Sequence, residues 1–285
     1  MSRKKQQTNI EHYVPRVYLK GFSDNNKSVY AYSLKDDKEI LNCSIETACQ
    51  ERWLYEFKND DDKLIVANLL EDILAKVETL FSKYRDILIK KAYQTENLKT
   101  KCFFTTEEKA FWKVYIVIQM LRTPSIINGL TDRIKNQVGE EFTTNEVRNY
   151  TLISVLPILK ELRIENNAFS FLLGLISQDH ICAFVDNSHG LFTTDNPIAC
   201  DSPKQGSNEI ELLYFPVTTD IAIILFGGEL KKEYGRNRLY YFNSQQLLKF
   251  KQGIAFTAQN MIYSKCKLSK DDIQLIKNAR ESNKV

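Results

Sequence analysis

The sequence is poor in glycine, with only 10 glycines among 285 residues. It has no glycine-rich loop of the kind that cradles phosphate, no G-x-S-x-G turn, no H-E-x-x-H helix and no dinucleotide fingerprint. These absences argue against nucleotide binding by a backbone cradle and against the hydrolase and metalloprotease mechanisms that those motifs carry.

Closely spaced pairs of cysteines are also missing, because the six cysteines stand singly and no C-x-x-C occurs. With only three histidines to help, a structural zinc site is not expected. The first seven residues are basic and polar and lack the apolar segment of a signal peptide. No apolar run reaches the length that a bilayer requires. We therefore expect a cytoplasmic protein with no membrane partner.

Charge of one sign does not dominate the chain, since 39 Lys and Arg residues face 36 Asp and Glu residues. The resulting net charge of +3 is too small to indicate nucleic-acid binding by overall electrostatics, so any anion site must be local. A hydrophobic content of 43% is enough to form a folded core.

The pattern of apolar residues predicts helices and strands in a definite order. A β-hairpin is expected from residues 29–34 and 40–45, followed by amphipathic helices over 64–89 and 105–122. Pro124 should end the second helix, and a third should begin at a capping box at residue 143, with a kink at Pro157, and continue toward 175. The remaining chain predicts strands at 181–185, 190–193, 211–216, 221–226 and 261–264 and helices at 244–258 and 269–281.

This layout predicts an α+β fold with a mixed or antiparallel sheet that gathers strands from both chain ends around a helical middle region. No repeat or low-complexity linker divides the chain, so residues 1–285 are expected to form a single domain. Within it we distinguish an N-terminal hairpin region (1–60), a helical region (64–178) and a C-terminal sheet region (179–285).

Two polar-aromatic motifs lie far apart in the sequence: HYVPRVYLKGF at residues 12–22 and FTTDNP at residues 192–197. Each places residues that can transfer protons or bind anions beside a proline, which fixes the local backbone. Two further motifs are Q-x-x-R-x-P at residues 119–124 and FPVT at residues 215–218.

Taken in order, these four motifs resemble the signatures of the bacterial family of domains of unknown function numbered 4238. The resemblance extends from His12 to about Ser264. It implies membership of a family but no reaction. Thr194 stands where that family has a serine, and Val217-Thr218 stands in place of a leucine-serine step. Both changes keep the size and the hydroxyl chemistry.

His12, Arg122 and Asp195 are the candidate catalytic residues. A histidine suits proton transfer near neutral pH, an arginine can clamp phosphate, and an aspartate can orient a histidine or bind a metal ion. Each has a structural alternative. His12 could order the N-terminal segment, Arg122 could meet the free carbonyls at its helix end, and Asp195 could bond its own turn.

Further candidates surround these three. Gln119 lies one helical turn before Arg122 and shares its face, and Asn196 and Arg16 complete the predicted binding residues. Glu71 and Glu78 lie two helical turns apart, so together with Asp195 they are candidate ligands for a divalent metal ion, the cofactor these residues would allow. The alternative is that both glutamates face solvent.

Three hypotheses of function remain open. The first is a hydrolase that cleaves phosphodiesters in nucleic acid, with His12, Arg122 and Asp195 in one pocket. The second is a non-catalytic sensor or effector module that binds a small anionic ligand or a partner peptide. In the third, the motifs serve only as turns and docking contacts.

Overall fold

The structure is a computed structural model, and it describes residues 10–58, 64–66, 68–94, 102–138, 143–161, 180–201 and 211–281. The N-terminal region forms short strands around a compact helical turn. Its elements are β1 (Ile10–His12), α1 (Arg16–Leu19), a 3-10 helix (Lys20–Phe22), β2 (Ser28–Ser33), β3 (Lys38–Ser44), β4 (Gln50–Arg52), β5 (Phe57–Lys58) and β6 (Leu64–Val66).

The middle of the chain is helical, with α2 (Leu69–Ala92), α3 (Thr106–Arg122), α4 (Pro124–Val138) and α5 (Thr144–Glu161). The prediction of a helix from residue 64 is wrong at its start, because Leu64–Val66 pairs with β5 as strand β6. Asn68, at a positive φ of 58°, separates that strand from α2. The sequence prediction also missed α4. Pro124 ends α3 as expected, but it then begins a new helix, because a proline is tolerated in the first helical turn.

Both predicted capping boxes are present. The side chain of Thr105 accepts a hydrogen bond from the amide of Glu108, whose carboxylate accepts one from the amide of Thr105. Thr143 and Glu146 form the same exchange at the start of α5. The predicted continuation of this helix toward residue 175 lies outside the described residues.

The C-terminal region alternates strands with two helices. It contains β7 (Ile181–Val185), β8 (Thr193–Thr194), β9 (Ala199–Asp201), β10 (Leu212–Pro216), β11 (Ile221–Phe226), β12 (Leu239–Tyr241), α6 (Ser244–Thr257), β13 (Met261–Ser264) and α7 (Lys270–Glu281). The predicted strand at 190–193 is shorter and shifted, since only Thr193–Thr194 pairs with β13.

The strands form a five-stranded sheet in the order β12-β7-β11-β10-β9 and a four-stranded sheet in the order β3-β2-β13-β8. In the first, β12 runs parallel to β7 and the other neighbours are antiparallel. In the second, β13 lies between β2 and β8, so strands from both chain ends share one sheet. The predicted α+β fold is therefore confirmed. Two-stranded ladders join β1 to β4 and β5 to β6.

An aromatic cluster joins the N-terminal motif to the helices and to the first sheet. The ring of Tyr18 stacks on Phe215 with centroids 5.4 Å apart, and it also contacts Phe81 of α2. Phe81 in turn packs against Trp112 and Tyr115 of α3. Burying a side chain of this size stabilises the folded state by about 2–3 kcal/mol.

Among the described helices, none has the length and apolar character needed to cross a membrane.

Candidate functional site

Arg122, at the C-terminal end of α3, is only 1% exposed, and each of its three nitrogens donates a hydrogen bond. Nε donates to the hydroxyl of Tyr55 at 2.8 Å, Nη1 to Oε1 of Glu78 at 3.0 Å, and Nη2 to the main-chain carbonyl of His12 at 2.6 Å. Burial opposes the charge, but Tyr55 and the Glu78 carboxylate raise the pKa of the guanidinium. The guanidinium therefore holds the N-terminal motif in place and is not exposed to solvent as a phosphate clamp.

Gln119 also holds the N-terminal motif. Its Nε2 donates to the main-chain carbonyl of Tyr13 at 2.9 Å, so α3 bonds two successive carbonyls of the motif, as the shared helix face of Gln119 and Arg122 predicts. The main-chain amide of Tyr13 donates a hydrogen bond to the carbonyl of Cys49 at 3.0 Å, so both polar groups of the Tyr13 main chain are bonded. Among the described residues, Oε1 of Gln119 has no hydrogen-bond partner although it is buried.

His12 is partly buried, and its Nε2 lies 3.0 Å from the main-chain carbonyl of Glu46. A carbonyl only accepts hydrogen bonds, so Nε2 carries the hydrogen and Nδ1 carries the lone pair of the neutral ring. Burial lowers the pKa of the imidazole; the Glu46 bond opposes this shift, and Arg16 adds to it. The ring is therefore neutral near pH 7 and suited to accept a proton at Nδ1.

A cavity of about 580 Å³ lies beside the N-terminal motif; it is called the larger cavity because an adjoining one measures about 250 Å³, while a separate cavity of about 620 Å³ lies between β10 and α6. Among the described residues that line it are the positively charged Arg16, Lys20 and Lys27 and the carboxylates of Glu46 and Glu78. Glu78 is already paired with Arg122, so the wall carries a surplus of positive charge. His12 is not among the described residues that line this cavity; it lies behind Glu46, whose main-chain carbonyl accepts the hydrogen bond from Nε2. The arrangement suits a ligand that carries phosphate.

Asp195 has a different position and role. Its carboxylate accepts hydrogen bonds from the amides of Gln259 at 2.9 Å, Asn260 at 2.7 Å and Met261 at 3.3 Å. Burial raises its pKa, and these amides lower it. The carboxylate thus closes the turn between α6 and β13. Within the described part of the chain, no hydrogen bond or ion pair joins Asp195 to His12 or Arg122.

Asn196, a predicted binding residue, uses its main chain for structural hydrogen bonds. Its amide donates to the hydroxyl of Thr194 at 3.0 Å, and its carbonyl accepts from Thr194 at 2.6 Å and from Thr257 at 2.8 Å. The DNP segment is therefore held as a turn against α6.

Glu71 and Glu78, the predicted metal ligands of α2, both lie near Arg122. Burial raises the pKa of Glu71; Arg122 opposes this shift, and Glu78 adds to it. In the described ranges, no group of three or more His, Cys, Asp or Glu side chains is arranged to hold a metal ion. The carboxylates of Glu78 and Asp195 are bonded to different partners, Arg122 and the turn amides.

The sequence predictions did not include Glu11, Lys20 or Lys27. Glu11 is fully buried; its Oε2 accepts from the amide of Tyr55, and burial raises its pKa to about 7. Lys20 lies inside the 12–22 motif and could have been selected there. Lys27 lies in an ordinary turn cluster, and nothing in the sequence distinguishes it.

Of the three predicted catalytic residues, the structure thus brings His12 and Arg122 into contact and gives Asp195 a separate task. No curated protein and no solved structure matches the chain. The family model described as "Protein of unknown function (DUF4238)" matches residues 11–267, which include all four motifs. The chain therefore belongs to the DUF4238 family.

Proposed function

We propose that the protein binds nucleic acid at the larger cavity and hydrolyses its phosphodiester bonds. Arg16, Lys20 and Lys27 hold the phosphate, and His12 accepts a proton. The observation that carries the proposal is the positively charged cavity wall, in which Glu46 accepts a hydrogen bond from Nε2 of His12 and so leaves the lone pair of that ring on Nδ1.

In the proposed reaction, Nδ1 of His12 takes a proton from the attacking water as the water oxygen bonds to phosphorus. The bond from phosphorus to the leaving oxygen breaks, and that oxygen takes a proton from solvent. The cations of the wall stabilise the negative charge that gathers on the phosphate oxygens. Arg122 is a positioning residue in this scheme, because it acts on the main chain of His12.

A second candidate is a non-catalytic module that binds an anionic ligand as a sensor or effector. One observation favours it. The polar side-chain atoms of Arg122 and Asp195, two of the three predicted catalytic residues, form hydrogen bonds within the protein. The cavity wall would then bind phosphate without turnover.

We also propose that the protein works in a bacterial cytoplasm. All six cysteines are free thiols, which fits a reducing compartment.

The test incubates the purified protein with single-stranded and duplex RNA and DNA, with and without Mg²⁺ or Mn²⁺, and compares it with His12→Gln. Loss of the proton acceptor should lower cleavage by about 10²- to 10⁴-fold and leave binding intact. Lys35→Gln, an exposed residue outside the cavity, serves as the control. Cleavage that persists in His12→Gln rejects the role of His12. Binding by the wild type without any cleavage favours the second candidate.

A further inference from the structure

A histidine and an aspartate outside the site described above form a closely bonded pair. Nδ1 of His189 lies 2.9 Å from Oδ1 of Asp220. The same carboxylate accepts hydrogen bonds from the hydroxyls of Thr219 at 2.6 Å and Tyr93 at 2.7 Å. A carboxylate accepts hydrogen bonds, so Nδ1 carries a hydrogen and Nε2 is the ring nitrogen left for another partner. Burial opposes the charge of Asp220, but its hydrogen bonds lower its pKa and keep it ionised.

The backbone presents this histidine in an uncommon conformation. His189 has a φ of +53°, in the left-handed region, which a non-glycine residue keeps only where the surrounding structure imposes it. Asp186 imposes it here, because its carboxylate accepts from the amides of Ser188 and Gly190 at 2.9 Å each. The side chain of His189 is 61% exposed and thus accessible to a ligand.

Asp220 lines a smaller cavity of about 250 Å³ that shares Lys20 and Asn26 with the larger cavity. The two cavities therefore adjoin at these residues, and together they are here called the groove. Its floor is fixed at Gly21, where an added Cβ would lie 2.7 Å from the carbonyl of Val217. The volume is below the roughly 300–1,000 Å³ of a complete small-molecule site, so the smaller cavity suits one part of a longer ligand.

The charges of the two cavities differ. In the smaller one, Lys20 and Arg85 are balanced by Asp86, which pairs with Arg85 at 3.2 Å, and by Asp220. The larger cavity has the surplus of positive charge. A groove with phosphate-binding charge at one end and balanced polar groups at the other matches a phosphate followed by a neutral sugar and base.

We propose that the smaller cavity, together with the exposed His189 that bonds Asp220 at its wall, is a second subsite, in which His189 and Asp220 bind the sugar or base of the nucleotide next to a phosphate held at Lys20. The ligand is then an oligonucleotide and not a mononucleotide. This inference rests on the proposed function and names the substrate class of that groove.

The test measures affinities by calorimetry for a nucleoside monophosphate, a dinucleotide and a tetranucleotide at one fixed salt concentration. We expect the wild type to bind the tetranucleotide at least about tenfold more tightly than the monophosphate. His189→Ala and Asp220→Asn should remove this gain and leave monophosphate binding unchanged. Asn187→Ala, an exposed neighbour in the same loop, is the control and should keep the gain.

A second readout follows the imidazole signals of His189 by NMR during titration. They should shift with the dinucleotide and stay in place with inorganic phosphate. Equal affinity for all three ligands, or a gain that His189→Ala retains, overturns the second subsite while phosphate binding at the larger cavity stands. Failure of all three ligands to bind overturns both this inference and the proposed function.

Discussion

The main-chain carbonyl of His12 accepts a 2.6 Å hydrogen bond from Nη2 of Arg122, 110 residues later in the sequence. This bond fixes the peptide group between His12 and Tyr13. Gln119, on the same helix as Arg122, donates a hydrogen bond to the next carbonyl, that of Tyr13. The geometry of His12 is therefore set by α3.

Replacing Arg122 should destabilise the fold strongly. Arg122→Ala removes the donor to the carboxylate of Glu78 and to the hydroxyl of Tyr55, and it leaves the carbonyl of His12 with the 3.1 Å bond from Tyr55. We expect a loss of about 3–5 kcal/mol in the free energy of unfolding, measured by urea titration. Arg236→Ala, which removes an exposed arginine, should change it by less than about 0.5 kcal/mol. Equal stability of the two variants would contradict the positioning role.

Asp195 should be needed for stability and not for ligand binding. In Asp195→Asn, the amide group that replaces one carboxylate oxygen meets backbone N–H donors, so we expect a loss of about 2–3 kcal/mol. Asp24→Asn, in an exposed ion pair, is the matched control. Below the unfolding transition, Asp195→Asn should bind nucleotides as the wild type does. If Asp195→Asn were as stable as the wild type but no longer bound nucleotides, Asp195 would be a binding residue after all.

The buried carboxyl of Glu11 should make stability depend on pH. Its pKa is raised by burial to about 7 in the folded protein and is about 4.5 unfolded, so the folded state retains a proton that the unfolded state has lost. The stabilisation of the folded state by this bound proton is fully present below about pH 4.5 and is lost as the pH rises through 7. It amounts to about 3 kcal/mol.

Glu11→Gln mimics the protonated carboxyl and should keep that stabilisation at every pH. The difference in unfolding free energy between the variant and the wild type, measured from pH 4.5 to 8, should therefore grow in favour of the variant as the pH rises. A difference that stays constant across this range would show that Glu11 keeps an ordinary pKa.

Tyr18 should couple the N-terminal motif to the two C-terminal motifs. Its single hydroxyl hydrogen goes to the carbonyl of Pro216 at 2.7 Å, so the hydroxyl of Thr193 donates to Tyr18, also at 2.7 Å. We expect Tyr18→Phe to cost about 1–3 kcal/mol. A double-mutant cycle with Thr193→Val should give a coupling energy of at least about 0.5 kcal/mol. Additive effects would mean that the two hydroxyls do not interact.

Local signals in the sequence predicted much of the fold. Capping boxes at Thr105 and Thr143 marked helix starts correctly, because the cap depends on residues only three positions apart. Strand β6 was missed because its apolar residues continue the helical spacing of α2. It is a strand because it pairs with β5, and the spacing of apolar residues carries no information about such pairing. The new helix at Pro124 was missed because a proline both ends one helix and permits the next.

The candidate site was harder to predict, for a physical reason. Arg122 reaches His12 through a main-chain carbonyl, and residue types carry no information about where a carbonyl points. Asp195 was selected because its carboxylate could take part in a reaction. In the structure both carboxylate oxygens accept hydrogen bonds from the amides of residues 259–261. Lys27 became a candidate only when folding brought its turn beside α1.

The larger cavity is the proposed binding site for the phosphates of nucleic acid. The most direct test is the fluorescence anisotropy of a labelled oligonucleotide titrated with the wild type and with the double variant Arg16→Gln and Lys27→Gln. The control carries Lys35→Gln and Arg236→Gln, which remove the same charge from exposed positions outside the cavity. We predict that the cavity variant loses affinity by about tenfold or more and that its affinity depends less steeply on salt. Equal affinity of the cavity variant and the control would contradict the account.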